Sequence, residues 1–148
     1  MSDHIVKMIP HDPFYKAPIS ALEQAKAFLE SQLHCDSVEI VLDETPVFVD
    51  CGSNLEKISC PQCSTELDFG WWGDAMDKAC EGAFASLDTQ TPCCKKMVSL
   101  NDLVYTFPCG FACCQICIYN PEPFDKNEIS AQLQNIFGAD VRIIEAHY

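Results

Sequence analysis

The stretch "DPFYKAPISALEQ", Asp12 to Gln24, returns without a gap as "EPFDKNEISAQLQ", Glu122 to Gln134. Pro13 and Pro123, Phe14 and Phe124, Lys16 and Lys126, Ile19 and Ile129, Ser20 and Ser130, Ala21 and Ala131, and Gln24 and Gln134 are identical, and Asp12 stands opposite Glu122. Each copy follows a strand-like run, "HIVKMI" or "CQICIY", and leads through a helical pattern into another, "SVEIVL" or "DVRIIE". In the first copy Ile19, Leu22, Leu29 and Leu33 fall near one helical stripe, and Pro18 suits a first turn. In the second, Ile129, Leu133, Ile136 and Phe137 form the stripe and Gly138 suits the C-terminal cap. Each end of the chain therefore reads as a β-loop-α-β unit. The run "SVEIVLDETPVFVD" reads as a hairpin turned by Asp-Glu-Thr-Pro.

These patterns predict an α+β fold in which two pseudo-repeated units share one sheet, with helices on one face and strands in a ferredoxin-like order. The "PF" of each loop reads as a packing anchor. At 148 residues the chain has the length of a single domain. Residues 1–50 form the first β-α-β(β) unit, 51–110 a cysteine-rich insert, and 111–148 the second β-α-β unit. Within the insert, Met76, Cys80, Ala83, Phe84 and Leu87 mark a helix from about Gly73 or Asp74, with Cys80 on its buried face and Asp74 and Asp77 in its first turn, where the dipole favours acids.

The insert opens on "ISCPQCSTELDFGWWGD", Ile58 to Asp74, and continues to "TPCCKK", Thr91 to Lys96. Two cysteine-bearing turns stiffened by proline are the parts of a zinc ribbon, in which deprotonated sulfurs meet around a tetrahedral ion. The expected ligands of a structural Zn2+ are Cys60, Cys63, Cys93 and Cys94. Vicinal Cys93 and Cys94 depart from the usual two-residue spacer, so Cys109, then Cys51 or a histidine, are candidate substitutes. A redox role for Cys60 and Cys63 would need a helix N-terminus just after the motif to lower a thiol pKa. "STELDFG" reads instead as a short strand and turn. In "PCGFACCQIC" the cysteines Cys109, Cys113, Cys114 and Cys117 could serve Cu(I) or a second zinc. A strand there would place Cys113 and Cys117 on one face and Cys114 on the other, as small apolar residues. His4, His11, His34 and His147 show no metal-pair spacing. One of Trp71 and Trp72 is expected over the zinc module; an exposed one would anchor a partner.

Composition narrows the function. The net charge is −13, from 22 acidic against nine basic residues, of which Arg142 is the only arginine. Nucleic-acid binding rests on Lys and Arg neutralising phosphates, so a basic protein partner fits better. Eleven cysteines without a secretory leader point to thiols and metal ligands in a reducing, cytoplasmic setting. No run of eighteen apolar residues suggests a membrane span.

The ordered set "VDCGSNLEKISCPQC", "WWGDAMDKA", "PCCKKMVSLNDLVY", "GFA" and "AHY" resembles a group of small, uncharacterised bacterial zinc-ribbon-containing proteins, some bearing transporter-ATPase names. The resemblance implies Cys60, Cys63, Cys93 and Cys94 as the metal set, leaves Cys109, Cys113, Cys114 and Cys117 outside the motif, and implies no known activity. No G-x-x-x-x-G-K-[ST] loop supports an ATPase. The expectation is a non-enzymatic cytosolic zinc protein, an adaptor or an inhibitor of a basic partner. A thiol-disulfide enzyme or sensor using Cys60 and Cys63, and a soft-metal handling protein, are the alternatives.

Overall fold

The strand-like runs from the two ends of the chain meet in one sheet. The computed structural model describes residues 3–148; Met1 and Ser2, the start of the first sequence unit, lie outside the described residues. In chain order the elements are β1 (His4–Pro10), α1 (Ile19–Gln32) and β2 (Ser37–Val49). The insert carries β3 (Lys57–Ser59), β4 (Glu66–Leu67), α2 (Phe69–Glu81), β5 (Asp88–Gln90), β6 (Met97–Ser99), a 3-10 turn (Leu100–Asp102) and β7 (Val104–Thr106). The chain ends with β8 (Gly110–Tyr119), α3 (Lys126–Phe137) and β9 (Val141–His147). The result is a mixed α+β fold with three α-helices among the described residues.

The large sheet has the order β2-β8-β1-β9, antiparallel at each junction. Its period-2 alternation sends side chains into two cores. Val6, Met8, Cys114, Ile116 and Ile118 pack with Leu22, Ala25 and Leu29 of α1 and with Ile129, Leu133 and Phe137 of α3. Ile9, Phe111 and Ile144 join the second core with Ile58, Leu67, Leu87, Leu100 and Tyr105 of the insert. Because β8 is covered on both faces, its run "GFACCQICIY" is buried almost throughout. A charged residue survives at Lys7, 8% exposed, because its ammonium donates to the Asp50 carbonyl at 3.0 Å, the Asp50 carboxylate at 3.1 Å and the Tyr148 hydroxyl at 2.6 Å.

The expected hairpin in "SVEIVLDETPVFVD" is instead one strand. Leu42 pairs with Cys114 and Val47 with Ala112, so Asp43 to Pro46 stand against Cys113 alone as a bulge. Long β8 offers one continuous partner, and Asp-Glu-Thr-Pro lacks the glycine or asparagine that a tight hairpin needs.

The two helices also start differently. Asp125 caps α3, accepting from the backbone N–H of Asn127 at 3.0 Å and of Glu128 at 3.2 Å, and Gly138 ends it in the left-handed region at φ 73°. The residue matching Asp125 in the first copy is Tyr15, and α1 begins later, after Pro18, without a side-chain cap. Ile129 is therefore buried, whereas Ile19, expected in the apolar stripe, is 54% exposed. Tyr15 instead donates its hydroxyl to the Phe137 carbonyl at 2.6 Å, at the end of α3. The "PF" anchors part in the same way: Phe124 packs against the helix-side core, while Phe14 is 50% exposed.

Polar contacts fasten the insert to the frame. Asn101, 3% exposed, donates to the His11 carbonyl at 3.0 Å and accepts the Phe111 N–H at 2.9 Å. Arg142 donates to the Asn101 side-chain oxygen at 3.2 Å and to the Cys109 carbonyl at 2.8 Å. At the entry to the insert Gly52 has φ 64°, and an added Cβ would lie 2.2 Å from the His147 carbonyl oxygen. Cys51 and Cys109, at the two ends of the insert, touch through sulfur at 3.2 Å.

Candidate metal centre

The motif "CPQC" turns between β3 and β4. The Ser64 N–H donates to the Cys60 carbonyl and the Cys60 N–H to the Thr65 carbonyl, both at 2.9 Å, and Ser64 reaches φ 64° to close the turn. The motif "TPCC" turns between β5 and β6 in the same way. The Lys95 N–H donates to the Thr91 carbonyl at 3.0 Å, the Thr91 N–H to the Lys96 carbonyl at 3.1 Å, and Lys95 has φ 56°. The two turns correspond residue for residue: Cys60 with Thr91, Pro61 with Pro92, Gln62 with Cys93, Cys63 with Cys94 and Ser64 with Lys95. The second turn thus has threonine where the first has its leading cysteine, and supplies its second sulfur from the neighbouring position. This correspondence is how vicinal Cys93 and Cys94 both reach the centre on a turn of the same backbone form as the first.

The four sulfurs lie within 4.8 Å of one another, and the group could hold a metal ion. Cys60 and Cys94 are 3.7 Å apart, Cys63 and Cys93 3.3 Å, and Cys93 and Cys94 3.9 Å. A tetrahedral ion with metal-sulfur bonds of about 2.3 Å requires sulfur-sulfur edges of about 3.8 Å. The donor set and its spacing therefore suit a small tetrahedral cation.

Hydrogen bonds prepare the sulfurs unequally. The Thr65 hydroxyl, 3.1 Å from Cys63, and the Thr65 N–H hold the Cys63 thiol down at about 6. Burial pushes Cys60 up, but the N–H groups of Cys63 and Gln62 outweigh it and leave the thiol below its ordinary value. Cys93 is pushed to about 11 by desolvation of its sulfur among the other three and by the adjacent Cys63 sulfur. A bound cation would remove this opposition, since all four ligands bind deprotonated. Thr91, 1% exposed, sets its hydroxyl 3.3 Å from Cys94.

The candidate substitutes lie elsewhere. Cys109 and Cys51 contact each other, and among the described residues no histidine joins the cluster. His4 and His147 come together across β1 and β9, their rings stacked at 4.4 Å. Nothing in the local spacing of two residues at opposite ends of the chain signals this. Cys113, Cys114 and Cys117 are buried on β8, with Cys114 in the helix-side core, and burial pushes all three thiols up.

Around the centre the helix expected from Gly73 or Asp74 begins earlier, at Phe69. Asp68 caps it by accepting the Trp71 N–H at 3.2 Å, and Asp74 and Asp77 fall beyond its first turn. Trp71, Trp72, Ala75, Met76 and Ala79 face the insert core, while Cys80, expected on that face, is exposed. The early start still leaves Ser64, Thr65 and β4 between Cys63 and the helix, so the motif does not sit on a helix N-terminus. Both tryptophans are partly buried, and Trp72 donates to the Tyr105 hydroxyl at 3.3 Å. The exposed aromatic here is Phe69 at 46%.

No helix among the described residues is long and apolar enough to cross a membrane. Comparison of the chain with protein-family models, curated proteins and solved structures found no match.

Proposed function

We propose that this chain is a non-enzymatic zinc protein in which Cys60, Cys63, Cys93 and Cys94 hold one structural Zn2+, and that it acts through contacts with a basic protein partner as an adaptor or inhibitor. The observation that carries the reading is the meeting of two turns of the same hydrogen-bonded form, with four sulfurs at spacings near the edge length of a small tetrahedron. Thiolates select zinc over hard cations such as magnesium or calcium. Four of them fill a tetrahedron and leave no position for a reactive water, which favours a structural ion over a catalytic one. The chain's own residues orient the ligands: Thr65 reaches Cys63, Thr91 lies beside Cys94, and the Gln62 N–H donates to Cys60 at 3.4 Å.

Net charge of −13 supports a basic partner, and a zinc ion with four thiolates adds two more negative charges. Exposed Phe69, Met97, Val104 and Phe107 on the insert supply apolar area for a protein contact. The strand order β2-β8-β1-β9, with helices after β1 and β8, supports a ferredoxin-like frame of two related units carrying a zinc-ribbon-like insert. On this reading the chain belongs with the small bacterial zinc-ribbon-containing proteins that its middle third resembles, in a cytoplasmic setting that keeps thiols reduced.

Native mass spectrometry of full-length protein purified under reducing conditions tests the metal assignment. One zinc per chain, lost in Cys60→Ser together with a lower melting temperature, is expected. Metal-free protein with a reversible Cys60 to Cys63 disulfide overturns it in favour of thiol chemistry. Affinity capture from the source cell, with acidic bait surface and salt varied, tests the basic partner.

A further inference from the structure

The four sulfurs of the centre differ in access. Cys60 is 1% exposed and Cys94 is half-buried, whereas Cys63 and Cys93 are exposed. The two accessible sulfurs are in contact, 3.3 Å apart, and come from different turns. The correspondence of the turns accounts for the exposure of Cys93. It occupies the outward position held by Gln62 in the first turn, while buried Thr91 fills the inward place of Cys60.

We infer that Cys63 and Cys93 form an oxidation site, at which a peroxide joins the two turns through a disulfide and thereby releases the metal. The inference rests on the zinc reading above. The Cys63 thiolate attacks one peroxide oxygen, the O–O bond breaks, hydroxide leaves, and a sulfenic acid remains. The Cys93 thiolate then attacks that sulfur and displaces a second hydroxide. Two electrons pass from the two sulfurs to the two oxygens. Closing the S–S bond at 2.03–2.05 Å requires the sulfurs to approach by only about 1.3 Å. Cys60 and Cys94 are then left as two thiolates, too few for a closed tetrahedral site. The Cys51 and Cys109 sulfurs are equally close, at 3.2 Å, but both are buried and provide an internal control for access.

The test begins with full-length protein whose zinc content is measured in the reduced state. Peroxide is titrated against zinc release to a chromophoric chelator, and disulfides are mapped by non-reducing peptide mass spectrometry. One zinc should be released as the Cys63–Cys93 link appears, before any Cys51–Cys109 link, and a dithiol should restore both thiols and zinc. The variant Cys80→Ser removes an exposed thiol that lies outside the centre and should release its zinc at the same peroxide levels as wild type. Zinc retained at peroxide levels that oxidise exposed Cys80 in the wild type, a first disulfide between any other pair, or loss of peroxide-triggered release in Cys80→Ser overturns the inference while leaving the zinc reading intact. Reduced protein purified without metal overturns the zinc reading and this inference together.

Discussion

Replacing Asn101 by alanine should detach the insert from the frame without emptying the metal centre. Asn101 is buried and serves three groups: its amide donates to the His11 carbonyl, and its oxygen accepts from the Phe111 N–H and from Arg142. Arg142 keeps the backbone carbonyls of Asn101 and Cys109 after the change, at 3.1 and 2.8 Å, so little of the penalty falls on it. The Phe111 N–H loses its acceptor in the centre of the second core, at about 1–3 kcal/mol for a buried unsatisfied group. The His11 carbonyl, on an exposed residue, adds about 1 kcal/mol for a lost hydrogen bond. The sum is about 2–4 kcal/mol, which for a chain of this size lowers the melting temperature by roughly 5–15 °C. Urea unfolding monitored by tryptophan fluorescence reads the loss, because Trp71 and Trp72 lie against that core. Hydrogen exchange at Phe111 should accelerate while zinc content stays unchanged. Asn101→Asp keeps the acceptor for Phe111 and Arg142 and should recover most of the stability. A loss below about 1 kcal/mol in Asn101→Ala, or an aspartate no better than alanine, would refute the reasoning.

Other expectations follow from single contacts. Asp125→Ala should destabilise by about 1 kcal/mol through loss of the α3 cap, read from the denaturant midpoint, while Tyr15→Phe should weaken the tie to the far end of that helix. Brief alkylation of reduced, chelator-treated protein should label exposed Cys63 and Cys80 first, exposed Cys93 more slowly because its thiol is pushed up, and Cys51, Cys109, Cys113, Cys114 and Cys117 only on unfolding, as peptide mass spectrometry would show. Burial pushes the Asp50 carboxyl up, but the Tyr148 hydroxyl and Lys7 outweigh it and hold the group below its ordinary value. Its contribution to stability is thus complete above about pH 4, the unfolded value, and fades as pH falls through the lower folded value. Asp50→Asn should flatten the acid limb of the stability curve, measured by urea midpoints between about pH 2 and 6.

The frame was legible where patterns were long. The repeated "PF" loops and their flanking runs located β1, α1, β8, α3 and β9, because burial against a sheet imposes periods that sequence shows directly. Errors came where tertiary partners decided. Leu42 and Val47 look like two strands until β8 is present to pair with both. The glycines at 70 and 73 hid a helix start that Asp68 caps and the tryptophans pack in place. At the metal centre, cysteine spacing named the four sulfurs that meet. Their relation was carried by Pro61 and Pro92 instead, the positions that bring Thr91 opposite Cys60. Arg142 stood out only as the lone arginine; its role needs Asn101 and Cys109, which are neighbours only in space.

The strand order also governs how the chain can be built from its N-terminus. β1 and β2 are not neighbours: β8 lies between them, and it follows the whole insert. A nascent chain that has emerged only as far as Val49 has two strands and a helix but no strand to join them, and so no sheet to cover. The insert has the opposite character, since its turns close between short strands adjacent in sequence. Local pieces of the insert can therefore form while the frame waits, and synthesis of β8 is the event that lets β1 and β2 enter one structure. Until then both strands expose unpaired edges, so the ribosome-bound chain that still lacks β8 is the stage at which edge-to-edge pairing with another chain is the greatest hazard.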